Sequence, residues 1–358
     1  MFSYINGPQT LGTSAGFWIS FAVLCLVAVA YPFFADPYDV GNFAYFLLWI
    51  FMAMGLCIMW GYTGILSFGQ TFFFGVGGYG YGVLSILMGE HYGLTVLALF
   101  LAIGLAAVTA VVFGYFMIYG RVAGVFFGIM TLSMTLALAY FLGQTAGPEW
   151  AIGKARLNGF NGMLGMPPLI LPWFGGGIEI LDTALYYFVI ALLFLVYLAI
   201  RILLNSPVGH VLVAIREDPE RAELLGYDIR KYQMIAFVVG SALAALSGVL
   251  YTAWGQFITP SSVGLPAAAM PIIWVAFSGR KDITATTLGT FVLLLAFQTI
   301  TIYSQQWALI LMGALLLATV LFVPDGFVLG LFKMVQKLAI RRRDPTITVP
   351  AEMRSSER

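Results

Sequence analysis

Apolar residues run along this chain in long uncharged blocks separated by short polar punctuation. The first, Gly16 to Phe34, holds 19 residues without a charge, and a helix needs about 20 apolar residues to cross the hydrocarbon core of a bilayer. Similar blocks recur near 41–60, 64–88, 94–118, 122–142, 184–204, 233–256, 262–279, 284–303 and 306–323. The pattern predicts an all-α polytopic membrane protein of about ten transmembrane helices. Three polar stretches break the series: a Gly- and Pro-rich segment at 143–183, a charged loop at 205–232, and a tail at 324–358. The expected organisation is one transmembrane domain over 1–323, with the 205–232 loop inside it, followed by a basic tail.

Composition agrees, with 61% hydrophobic and 9% charged residues against roughly 25% charged in soluble domains. A net charge of +1 gives no reason to expect a nucleic-acid partner. Ala28 and Ala30 make a faint A-x-A cleavage site, but no basic n-region precedes the first block, so an uncleaved span is expected. Cytoplasmic loops retain Lys and Arg. Alternating the spans from a cytoplasmic start puts 15 of the 17 basic residues on the cytoplasmic side, leaving Lys154 and Arg156 outside. Both termini and the charged loop then face the cytoplasm. The tail reads as an interfacial helix over 326–340 ending in the basic cluster Arg341 to Arg343.

Within the loop, Asp218 suits an N-cap, Pro219 the first helical position and Gly226 a left-handed stop, so a short helix is expected over Pro219 to Leu225. A helix that short is marginal in water, and its place on a membrane domain suggests that it docks into a separate protein. Arg216, Glu217, Asp218, Glu220, Arg221 and Glu223 offer charged contacts around Ala222, Leu224 and Leu225.

No Asp, Glu, Lys, Arg or His is expected deep in a span, which disfavours proton-coupled transport. No G-x-x-x-x-G-K-[ST] phosphate loop exists, so uphill transport would need ATP handled by another chain. Catalytic residues, a metal cluster and a cofactor are not expected; Cys25 and Cys57 lie in apolar runs and the two His are far apart. Leu66 to Gln70 reads LSFGQ, a chance likeness to the LSGGQ signature of soluble ABC ATPase domains.

Two blocks look interrupted. ILSFGQTFFFGVGGYGYGV invites a broken or re-entrant helix, tolerated at membrane depth only where it is buried in protein or lines a polar cavity. In WGQFITPSSVGLPAAAMP, Pro260, Pro266 and Pro271 oppose one regular helix. Paired interrupted spans point to a midplane path, with Ser67, Gly69, Gln70, Gly77, Gly78, Gln144 and Gln256 as candidate lining, and Gln298 beside them. The competing reading is packing: Gly78 with Gly82 and Gly124 with Gly128 form GxxxG pairs, and Gly240, Ala244 and Gly248 a small-residue stripe.

GYTGILSFGQTFFFGVGGY resembles the signature of permease subunits of branched-chain amino acid ABC importers, the LivM type, and SPVGHVLVAIREDPERAELLGYDIRKYQMIAFVVGSALAALSGVLY resembles their cytoplasmic loop and following helix. The likeness covers most of 48–323. His210 stands where Arg is common, Gly78 where Ala is, and Gln70 where His is frequent. The resemblance implies an ABC importer permease fold in a bacterial inner membrane and a second homologous permease subunit. It also implies two ABC ATPase subunits and a periplasmic substrate-binding protein, with the Asp218 to Gly226 helix as the coupling element. Branched-chain amino acids, or urea and short amides, fit as solutes. A stand-alone channel is the remaining alternative.

Overall fold

Inside a bilayer a segment must satisfy its own backbone N–H and C=O groups, so long apolar blocks become helices. The computed structural model describes residues 5–89, 94–173, 176–323, 325–332 and 334, so Glu90 and the basic cluster of the tail lie outside the described residues. Nine helices among these residues are long and apolar enough to cross a membrane. They are α1 (Ala15–Ala30), α2 (Pro37–Leu56), α3 (Gln70–Met88), α4 (Leu94–Gly114), α5 (Val125–Gln144), α6 (Asp182–Asn205), then α9 (Ile229–Gly255), α11 (Ile283–Tyr303) and α12 (Gln305–Phe322). Two helices, α7 (Pro207–Glu217) and α8 (Pro219–Leu224), form the charged loop, and α10 (Leu265–Ser278) is a shorter apolar helix. Helices α2 and α4 each run on into a π-turn, Cys57–Tyr62 and Tyr115–Tyr119.

The core forms around α9, which packs along α3, α2 and α4. Close approach of backbones needs small residues at the crossing, and the glycine stripe supplies them. A Cβ on Gly240 would stand 2.7 Å from the Gly55 carbonyl oxygen of α2, and one on Gly77 of α3 would stand 2.6 Å from the Ala245 carbonyl oxygen. Gly124 departs from the sequence reading: it is the N-cap of α5 with φ 58°, so it forms no helical pair with Gly128.

The polar segment at 143–183 is not featureless. It carries the ribbons β1–β2 (Ala151–Ile152, Ala155–Arg156) and β4–β5 (Leu169–Trp173, Gly176–Ile180), while β3 (Met163–Leu164) pairs antiparallel with β6 (Phe257–Ile258) beyond α9. These ribbons mark one face of the bundle and the α7–α8 hairpin the opposite one. Residues 327–332 are helical, and Lys281 pairs with Asp325 at 3.0 Å.

Both interruptions are real, and they are confined. The first spans Gly64 to Gly69, between the π-turn of α2 and the start of α3. The second is the stretch of Gln256, β6 and the 3-10 turn Pro260–Val263. Pro266 opens α10 and Pro271 lies inside it without ending it, so the break does not extend to all three prolines.

Candidate functional site: the loop hairpin and the broken span

Pro207 and Pro219 each occupy a first helical turn, where the missing N–H costs nothing. Asp218 caps α8 by accepting the Arg221 backbone N–H at 3.0 Å. Gly226, with φ 89°, takes the left-handed stop that a side chain would resist. The Tyr227 N–H then reaches back to the Ala222 carbonyl at 3.2 Å. The expected single helix ends at Leu224, and a second helix, α7, precedes it.

Ala222 is turned inward, onto Val211 and Ile215 of α7 with Ile229 and Tyr232 alongside. It belongs to the hairpin's own small core and not to its contact surface. That core is how so short a helix keeps its shape. Its outer side presents Glu220, Arg221 and Glu223 around Leu224 and Leu225, which are 87% and 75% exposed. Two bare leucines at the tip of a charged hairpin form a surface suited to an apolar groove with a polar rim.

Arg216 leaves this surface and points into the bundle. Its Nη1 donates to the Gly61 carbonyl at 2.6 Å, while Nε and Nη2 hold Glu217 at 2.9 and 2.6 Å. Gly61 lies in the π-turn that ends α2, and the Arg216 side chain also lies 3.7 Å from where a Gly64 Cβ would stand. Arg216 therefore grips the chain just before and at the first residue of the break. Nearby, the Cys57 thiol donates to the Arg280 carbonyl at 3.2 Å and Thr286 donates to Cys57 Sγ at 3.2 Å, while the Arg280 guanidinium lies 5.0 Å from the Trp60 ring centre.

The break dips to membrane depth. Phe68 donates its N–H to Thr131 Oγ1 at 3.1 Å and accepts at its carbonyl from Thr135 Oγ1 at 3.2 Å. At 1.5 Å per residue these threonines stand about 9 and 15 Å along α5. Unpaired backbone at that depth would be costly, and two hydroxyls satisfy it. The second interruption meets the same helices: a Cβ on Gly75 of α3 would lie 2.8 Å from Val263 Cγ2 and 3.2 Å from Leu138 of α5.

Of the candidate path residues, Ser67, Gly69 and Gln70 come together at the first break. Ser67 Oγ accepts the Gly69 N–H at 3.1 Å, and Gln70 Nε2 contacts Met59 Sδ at 3.0 Å while its Oε1 has no hydrogen-bond partner among the described residues. Gly77 and Gly78 are buried under α9 and the second interruption, against Ala245, Gly248, Thr252 and Ile258. Gln144 is exposed at the end of α5, and Gln256 is the left-handed C-cap of α9; both lie toward the ribbon face, apart from Gln70. Gln298 is exposed on α11.

Sequence reasoning missed the strap over residues 5–12. Arg201, fully buried near the loop-face end of α6, donates to the carbonyls of Ile5 and Gly12 at 2.6 Å each and to Tyr197 OH at 2.8 Å, and it lies 5.1 Å from the rings of Phe17 and Trp18. Asn205 accepts the Gln9 N–H, Tyr62 donates to the Gln9 carbonyl, and Asp282 accepts the Leu11 N–H at 2.6 Å. Burial pushes the Asp282 carboxyl up, against the backbone N–H groups of Leu11, Ala285 and Thr284 and the Arg201 charge that pull it down. Arg201 lies inside α6 toward its loop-face end, and Asp282 caps the start of α11 at the same face. The signal for the strap was an Arg placed inside an apolar block.

The chain is 24% identical over 341 residues to the high-affinity branched-chain amino acid transport system permease protein LivM of Escherichia coli K12, covering 90% of this chain and 78% of that protein. It is 26% identical over 325 residues to the LivM-named protein of Methanocaldococcus jannaschii, covering 79% and 91%. A 135-residue stretch is 30% identical to the E. coli permease protein LivH, covering 37% and 44%. No solved structure matches. The family model described as branched-chain amino acid transport system / permease component matches residues 40–320, and the chain belongs to that family.

Proposed function

We propose that this permease subunit of an ABC importer carries branched-chain amino acids, delivered by a periplasmic binding protein, across the bacterial inner membrane. The observation that carries the reading is the Arg216 contact with Gly61, because it ties the hairpin to the root of a broken span. Two ATPase subunits would seat the exposed tip of α8 on the cytoplasmic face, and a second homologous permease would complete the membrane core.

The mechanism follows from stiffness. When ATP binding brings the ATPase subunits together, α7 and α8 move as one body because Val211, Ile215 and Ala222 hold them together. Arg216 passes that displacement to Gly61 and Gly64, and the break, held on Thr131 and Thr135, shifts against α5. Buried hydroxyls without partners among the described residues, on Thr71, Tyr79 and Tyr81 of α3 and on Ser241 and Ser247 of α9, give the two central spans polar groups for a zwitterion. Helix ends at the breaks add partial charges without an ionised side chain.

The test is uptake of labelled leucine into proteoliposomes holding the whole assembly and its binding protein. Accumulation that needs ATP is expected. Leakage of leucine through this chain alone, without ATP, would overturn the reading.

A further inference from the structure

Helix α1 is tied to the bundle at its two ends and stands away from it between them. At the loop face, Phe17 and Trp18 lie over Arg201, and Phe21 stacks on Phe194 and Tyr197 with ring centres 5.7 and 5.4 Å apart. At the ribbon face, Tyr186 donates to the Ala28 carbonyl at 2.7 Å, Tyr187 to that of Val29 at 3.1 Å, and Tyr31 packs on Phe43 at 4.8 Å. No residue of α1 is buried. The space behind it is a cavity of about 1130 Å³ whose lining runs from Pro8 to Tyr31 on the strap and α1 side, with Phe332 at its edge.

The opposite wall comes from three spans and is oily, with Leu47 and Ile50 on α2, Ile190 and Leu193 on α6, and Leu288 on α11. Its hydroxyls are already engaged: Tyr197 OH with Thr284 Oγ1 at 2.8 Å, Thr287 with the Ile283 carbonyl at 2.8 Å, and Tyr186 with the Ala28 carbonyl. Water needs two to four polar partners to stay in such a place, and these walls offer few. Leaving it empty is also unfavourable, since the cost of a void grows with its volume. The cavity is larger than the roughly 300–1,000 Å³ typical of small-molecule sites. Both walls lie at membrane depth, where the abundant apolar molecule is the bilayer lipid itself.

We propose that this cavity is a built-in site for the acyl chains of a membrane phospholipid, held between α1 and the α2–α6–α11 wall. An occupant there is distinct from the lipid around the protein, because α1 is closed over it at both ends. The lipid completes the packing that the side chains of α1 leave unfinished.

The assembled transporter, reconstituted in vesicles doped with a phosphatidylethanolamine carrying a diazirine in its acyl chain, gives the test. On irradiation, cross-links are expected on the inner wall at Ile50, Leu193 and Leu288 as well as on outward positions such as Ile19 and Leu26. Cross-links confined to Ile19, Leu26 and other outward residues would overturn the proposal, because α1 would then rest directly on the bundle or on a protein segment. A second measurement does not depend on cross-linking. Assemblies purified in mild detergent should retain phospholipid on extraction, and Leu24→Trp with Leu193→Trp should at least halve the amount retained per chain while leaving helix content unchanged. Equal retention by both forms, or none by the unaltered protein, would also overturn it.

Discussion

Arg216 works by being forked. One arm holds the Gly61 carbonyl and the other two nitrogens hold Glu217, which an ammonium could not do in the same plane. Loss of a hydrogen bond from a charged donor costs about 1.5–3 kcal/mol, and each 1.4 kcal/mol is about tenfold in an equilibrium. Arg216→Ala is therefore expected to lower transport at least about tenfold while the assembly still hydrolyses ATP, as measured by uptake and phosphate release on one preparation. Arg216→Lys should recover little. Asp282 gives a pH signature. Its folded pKa stands above the ordinary 3.8, so the fold binds this proton more tightly than the unfolded chain does. Its contribution to stability is thus fullest below the ordinary value and declines as pH rises through the raised one. Asp282→Asn should flatten that acid-side slope in thermal unfolding. At acid pH it should also lower stability by about 1–3 kcal/mol, because the amide has one oxygen for the two N–H groups, of Leu11 and Ala285, that the carboxyl accepts.

At the scale of elements, the hairpin and the break are the parts that must move together. Inserting one Gly after Leu224 leaves the α7 core intact and moves Leu225 out of register with Leu224. ATP hydrolysis should persist at its basal rate and lose its stimulation by loaded binding protein, with uptake abolished. The break should report on its two hydroxyls. Thr131→Val and Thr135→Val strand the Phe68 N–H and carbonyl, each at about 1–3 kcal/mol, so the double variant should unfold at a clearly lower temperature than either single one. The cap and stop of α8 were legible in the sequence because Asp218, Pro219 and Gly226 act on their own neighbours. The α7 helix was not foreseen, since its apolar side is defined by Ala222 folding back on it. The interruptions were readable from Gly and Pro density. Their satisfaction by Thr131 and Thr135 was not, since hydroxyls 63 and 67 residues from Phe68 leave no local mark.

For the molecule as a whole, apolar blocks and positive charge predict about ten crossings with both ends of the bundle on the loop face, and nine long helices plus α10 have that parity among the described residues. The sidedness is testable directly. In a background of Cys25→Ser and Cys57→Ser, Glu220→Cys should react with a membrane-impermeant maleimide only in inverted vesicles, and Lys154→Cys only in intact spheroplasts. The proposed path was the least legible feature. Gly77 and Gly78 pack where a lining residue was sought, and Gln144 and Gln256 stand toward the other face from Gln70. A single sequence cannot tell a glycine that lets backbones touch from one that lines an opening, because both need the same missing side chain.

The strap has a bearing on biosynthesis. Residues 5–12 are made well before their partner, since Leu11 finds its acceptor on Asp282, 271 positions later in the chain. Until that late turn is made, the segment cannot finish docking, and the Arg201 guanidinium must wait in half-built surroundings. A polypeptide stopped short of Asp282 would carry an unfinished charged pocket at the membrane surface, a defect that quality-control proteases could recognise before any partner subunit is engaged.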